Sequence, residues 1–177
     1  MEALTELLTA SRPLTRVSAA SRLGDLREPA AVGPLLRCLQ ASDDLVRNAA
    51  LKALGKIGDH SAVPAMMEVA TTDEASGVRT MAIDALATLG EPRGIEMLAE
   101  LAVDPSPLLA TATRTFRSPT TSRRHPNIRA RRIRAWALKR LRDLHAVEAV
   151  GRLEASPPPR SPLLRLRYSR TLRTLRA

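Results

Sequence analysis

One block of sequence recurs along this chain of 177 residues. Read from Val46, the stretch VRNAALKALGKIGDHSAVPAMMEVA returns from Val78 as VRTMAIDALATLGEPRGIEMLAELA, a shift of 32. Shifted back by 31, the same frame falls on TRVSAASRLGDLREPAAVGPLLRCL, residues 15–39. A fourth copy, residues 130–154, follows at a shift of 52 from the third. A period of this length means stacked copies of one supersecondary unit, none of which buries its apolar face alone. Most recurrent residues then serve to stack the copies.

Each copy divides into two helical patterns. In the second copy Val46, Ala49, Ala50, Ala53, Leu54 and Ile57 recur at helical spacing, with Asp43 or Asp44 placed as N-cap. Gly58-Asp59 stops that helix. Ala62, Val63, Met66, Met67 and Ala70 form a second stripe, opened by Ser61 as cap and Pro64 in the first turn. The third copy repeats this with Val78 to Leu89, then Gly90-Glu91-Pro92, then Ile95 to Ala102. Small Ala at inner positions allows close helix approach, and no segment shows sustained period-two alternation. The expected fold is all-α, an α-solenoid of stacked antiparallel helix pairs. Glu6 to Ser11 aligns with Arg37 to Ser42, so the chain starts in mid-unit. That start is either a lone second helix covering the end of the stack or the edge of a longer solenoid.

The pattern Val-Arg-x-x-Ala-x-x-Ala-Leu-Gly-x-Ile-Gly-Asp-x-x-Ala-Val-Pro, spelled by Val46 to Pro64, resembles the short HEAT-like repeat. That class is often named after the phycobilisome lyases in which it occurs. The resemblance covers roughly residues 1–104 and 128–155, and it implies a right-handed solenoid. It is a strong pointer to fold and a weak one to activity, because one repeat architecture hosts many functions. Taken as limited to the shared repeat, it does not bring bilin lyase activity with it.

The period fails once, and there the charge changes sign. Residues 1–104 hold 10 basic and 15 acidic side chains; residues 105–177 hold 18 and 3. An anionic partner would therefore meet the C-terminal half. The expected organisation is a half-repeat and three regular copies over 1–104, an irregular helix and basic loop over 105–127, and an Arg-rich terminal repeat with a C-terminal helix over 128–177. Arg outnumbers Lys 25 to 3, which a GC-rich coding sequence explains as well as selection for guanidinium does.

Two columns of the array invite a binding reading. Arg16, Arg47, Arg79 and Arg131 share one, and Glu28, Asp59, Glu91 and Asp143 share another. The HEAT resemblance favours a structural ladder, in which each acid at an inter-helix turn pairs with a neighbouring copy's Arg and caps backbone groups. Glu6, Arg37, Glu68, Glu100 and Arg152 lie on the exposed side of the second helices, which line the concave groove in HEAT-like solenoids. Arg37, Glu68, Glu100 and Arg152 are the expected protein-docking residues, although salt bridges between copies account for their alternating signs equally well. The basic run places Arg129, Arg132, Lys139 and Arg140 outside a face made by Ala130, Ile133, Ala137, Leu141 and Leu144, with Trp136 beside them. With Arg123 and Arg124 of the loop, these six form the candidate anion or nucleic-acid surface. An anionic membrane surface or an acidic protein would suit such a face too. The C-terminal helix is expected to bury Leu164, Tyr168, Leu172 and Leu175 and to expose Arg165, Arg167, Arg170 and Arg173.

Signals for catalysis are sparse. His60, His125 and His145 have no neighbour at metal-ligand spacing, Cys38 sits in an apolar column, and there is no Gly-rich phosphate loop. No catalytic, cofactor-binding or metal-binding residue is expected. No window approaches 18 unbroken apolar residues, and the start is not that of a secretory signal, so a cytoplasmic location is expected. The expectation is a non-catalytic protein-interaction scaffold docking a partner in its concave groove, the alternative being a nucleic-acid-binding protein that uses the basic half.

Overall fold

The computed structural model describes residues 2–105, 126–156, 158–159 and 162–176, and all regular structure among them is helical. The chain forms two compact units, Met1–Glu91 and Pro92–Ala177.

In the first unit a short helix α1 (Glu2–Glu6) and a 3-10 turn (Leu7–Thr9) precede α2 (Pro13–Asp25), α3 (Val32–Cys38), α4 (Asp44–Ile57), α5 (Val63–Thr72) and α6 (Ser76–Thr88). The first helices of the copies, α2, α4 and α6, pack side by side, with α3 on α4 and α5 on α6. Ala19, Ala20 and Leu23 on α2, Ala50, Leu51 and Leu54 on α4, and Ala82, Ile83 and Leu86 on α6 fill the seams and are fully buried. Each such leucine contributes about 1.5–3 kcal/mol through lost contact with water. Two glycines set the helix spacing. A Cβ on Gly24 would lie 2.7 Å from the Ala53 Cα, and one on Gly55 would lie 3.2 Å from the Ala85 Cα. Glycine is a poor interior helix residue, and close approach of backbones explains it here.

Capping follows the sequence signals closely. The Asp43 carboxylate accepts from the N–H groups of Leu45 (2.8 Å) and Val46 (3.4 Å), and Gly58 ends α4 in the left-handed region at φ 86°. The second helices α3 and α5 are each entered through a 3-10 turn. Asp59, and not Ser61, caps the turn His60–Ala62 by accepting from the Ser61 N–H at 2.8 Å. Glu28 does the same for Ala30 at 3.2 Å.

The second unit contains α7 (Pro92–Val103), α8 (Pro126–Asp143), a 3-10 turn (Val147–Ala149) leading into α9 (Val150–Glu154), and α10 (Pro162–Arg176). α8 packs on α7 and on α10. The helix expected from Asp104 to Phe116 lies outside the described residues beyond Pro105. The loop expected from Ser118 to Pro126 does too, apart from Pro126, the first residue of α8.

The turn after α8 corrects the register of the fourth copy. Arg27, Gly58, Gly90 and His145 occupy the left-handed region, with φ of 50°, 86°, 76° and 51°. The next N–H reaches five residues back in the same way: Glu28 to Leu23 (3.2 Å), Glu91 to Leu86 (3.0 Å) and Ala146 to Leu141 (3.0 Å). His145 thus matches Gly90, a shift of 55 and not 52. The buried trio Ala137, Leu138 and Leu141 then matches Ala82, Ile83 and Leu86. A slip of three residues is close to one helical turn and leaves the apolar face unchanged, so periodicity alone could not separate the two registers.

Candidate functional site

The arginine column is a clamp on the linkers between copies. Arg16 donates from Nε to the Leu8 carbonyl at 2.9 Å. Arg47 is only 6 % exposed; it donates to the carbonyls of Ala41 (2.8 Å) and Ser42 (3.1 Å) and forms a two-point ion pair with Asp73, at 2.8 and 3.1 Å. Hydrogen bonding to Asp73 raises the Arg47 guanidinium further above its ordinary value, against the opposing effect of burial. Arg79, 2 % exposed, donates to the carbonyls of Asp73 and Glu74. Asp73 also accepts from the Ala75 N–H at 2.8 Å, so one carboxylate ties the third copy's first helix to the second copy's arginine.

This differs from the expected ladder in two respects. Glu28 and Asp59 cap their own turns, and Asp143 faces Lys139 (3.5 Å) and Arg142 (3.9 Å) beside it, so these acids do not meet the clamp arginines. In the corrected register the fourth arginine is Arg134, 3.6 Å from Asp104, and Arg131 is exposed. Cys38 is buried with Sγ 4.0 Å from the Leu8 carbonyl, a packing residue.

The second-helix column splits into two situations. In the first unit Arg37 on α3 and Glu68 on α5 are exposed and form no ion pair among the described residues. Glu68 borders a depression of about 330 Å³, lined also by Gln40, Ser42, Thr72, Asp73 and Glu74. In the second unit Arg152 reaches Glu100 at 2.8 Å, while Arg93 stands 3.8 Å from the same oxygen and 2.8 Å from Glu96. Hydrogen bonding to Glu96 raises the Arg93 guanidinium above its ordinary value. The signs at Glu100 and Arg152 are therefore satisfied within the unit.

Of the six basic candidates, Arg123 and Arg124 lie outside the described residues, as does the Arg129 side chain. Arg132 and Lys139 are exposed on α8, Lys139 beside Asp143, and Arg140 is half-buried. Trp136 is half-buried as well. On α10 the buried face is Leu164, Tyr168, Thr171 and Leu175. Thr171 takes the place expected for Leu172 because its hydroxyl donates to the Leu138 carbonyl at 3.2 Å, which makes a polar side chain a core residue. Tyr168 donates to the Leu153 carbonyl and, at 3.3 Å, to that of Ser156. Sequence reading missed this anchor; a lone Tyr in an Arg-rich helix was its only signal. Leu163 and Leu166, unassigned in the sequence, stand out into water.

The family model for HEAT repeats matches residues 1–87 and 61–115. The chain belongs to the HEAT-repeat family. Two relatives of this HEAT-repeat protein are named phycocyanobilin lyase subunit alpha. The one from Synechococcus elongatus is 46% identical over 57 residues, covering 32% of this chain and 20% of the relative. The one from Picosynechococcus sp. is 34% identical over 94 residues, covering 47% and 35%. The chain thus spans a fifth to a third of the length of these relatives. Its fold is similar to the structure of the complex of CpcE and CpcF of phycocyanin lyase from Nostoc sp. PCC7120, with a TM-score of 0.63 at 22% identity over 98% of this chain and 64% of that one. An engineered protein aligns with a TM-score of 0.52 at 18% identity, over 99% and 47%.

These relatives correct one expectation. A HEAT-repeat chain without His, Cys or phosphate-loop signals was expected to be no enzyme, and its relatives are lyase subunits. The expectation failed because stacking residues dominate each copy, and a subunit's share in a reaction needs no compact motif of its own. Among the described residues no helix is long and apolar enough to cross a membrane.

Proposed function

We propose that this HEAT-repeat protein is a subunit of a lyase assembly of the phycocyanobilin type, working together with a second protein. The observation that carries this is the 46% identity over 57 residues to a phycocyanobilin lyase subunit. The similarity in fold to a two-protein lyase complex agrees with it.

Within that reading the first unit supplies the docking residues. Arg37 and Glu68 are exposed and free of ion pairs among the described residues, and the recess at Glu68 and Glu74 suits a basic side chain of the partner. Glu100 and Arg152, in the second unit, are already paired with each other and offer a partner little free charge. Such exposed pairs are worth about 0–1 kcal/mol.

The test has two arms. The tagged chain is purified from its own cells and the co-purifying protein identified, for wild type and for Arg37→Glu/Glu68→Arg. Phycocyanobilin is then titrated into the recovered complex and followed by visible absorption. The reading expects a stoichiometric second protein, lost in the double variant, and a spectral change that requires the complex. A chain recovered alone that leaves the pigment spectrum untouched would sink it.

A further inference from the structure

The helix α10 has two faces, and packing uses one. Leu164, Tyr168, Thr171 and Leu175 are buried, and the hydroxyl bonds of Tyr168 and Thr171 hold the helix in place. Its outer side is consequently a fixed surface. At helical spacing that surface carries Leu163, 75% exposed, and Leu166, 63% exposed, followed on the same stripe by Arg170 and Arg173, with Arg167 beside them. The helix contains no acidic residue, and of its arginines Arg176 alone forms an ion pair among the described residues, with Glu154.

We propose that this outer face of α10 is a peripheral docking surface for an anionic lipid bilayer. Charge complementarity names the class of partner: three exposed guanidinium groups without carboxylates attract phosphate headgroups and bind them in a fork geometry. The leucines choose among anionic partners. They project into water one turn apart, ahead of the arginines, as the apolar edge of an interfacial helix does when it enters the headgroup layer. Long arginine stems let the guanidinium groups stay at phosphate level while the leucines go deeper. A nucleic-acid surface would present polar or aromatic groups at those positions, and the helix's one aromatic, Tyr168, is buried. The attachment is reversible and lies on the membrane, since two leucines are far short of a spanning segment.

Cosedimentation of the full chain with vesicles tests this, using phosphatidylcholine alone and phosphatidylcholine with about 30% phosphatidylglycerol. Binding is expected to the anionic vesicles only, falling steeply between about 50 and 500 mM salt. Leu163→Ser/Leu166→Ser should weaken it about tenfold, a change of about 1.4 kcal/mol. Arg167→Glu/Arg170→Glu should abolish it. All four positions are exposed, and circular dichroism melts verify that both variants stay folded. Absence of binding to anionic vesicles at low salt overturns the proposal. So does binding that the leucine substitutions leave at full strength, which would mark general attraction of a basic chain. Preference for duplex DNA or polyglutamate over vesicles, unaffected by the leucines, would reassign the arginines and likewise overturn it.

Discussion

Arg47 and Asp73 form an ion pair with both side chains 7% exposed, so removing one partner strands the other in a place with little water. Arg47→Met should therefore cost about 3 kcal/mol, read as a lower urea midpoint, with Asp73→Asn costing less because an amide still caps Ala75. The left-handed turn makes an opposite prediction. Arg27 and His145 hold a backbone conformation that Gly58 and Gly90 hold without strain. Arg27→Gly and His145→Gly should each stabilise by about 0.5–1 kcal/mol, seen as a rise in Tm, whereas Gly58→Val should lower it. Three members of the arginine column, Arg16, Arg47 and Arg79, were legible at this scale, because a recurring cation in an apolar frame is visible in one sequence; the fourth was read as Arg131 where the structure has Arg134. The column's partners were not: linker carbonyls leave no mark in a sequence, and Asp73 lies outside the column of acids that recurs.

Helix boundaries and faces followed from period and caps wherever apolar and small residues alternate cleanly, as in α4. They failed where a polar residue is buried through its own hydrogen bond, as Thr171 on α10, or where two registers share a face, as on α8. Gly24 and Gly55 were not singled out in the sequence, where close approach was assigned to Ala alone; the structure puts each against the backbone of a neighbouring helix. Gly24→Ala would push α2 and α4 apart against a backbone atom 2.7 Å away and should cost about 1–3 kcal/mol; Gly55→Ala, with 3.2 Å available, should cost less. Thermal melts of the two variants decide the order. The anchor of α10 adds a pH dependence. Burial first, and then the Glu154 carboxylate, push the Tyr168 hydroxyl above its ordinary value of about 10. A raised value in the folded state means that its contribution is complete below the ordinary value and is lost as pH climbs through the raised one. Wild type should lose stability faster than Tyr168→Phe above about pH 10, while near neutral pH the variant should be weaker by about 1 kcal/mol.

For the whole molecule, period and composition were enough to state an all-helical repeat architecture, because stacking constrains nearly every position of a copy. The proposed part in a lyase assembly was not legible. It depends on which exposed surface meets which partner, and exposed side chains such as Arg37 and Glu68 carry no internal sign of having been selected. The charge step beyond Asp104 was visible, but the leucines that qualify it, Leu163 and Leu166, become conspicuous only once the other face of α10 is seen to be packed. The left-handed turn carries a last consequence. Because the first helix of each copy ends in one backbone conformation, whether the residue is Arg27, Gly58, Gly90 or His145, the chain has interchangeable splice points. A gene in which the segment 59–90 is written twice should encode a protein that folds with one more repeat and melts at a higher temperature, as nearest-neighbour stacking requires. Circular dichroism of that longer chain against the original would show whether the array grows by whole modules.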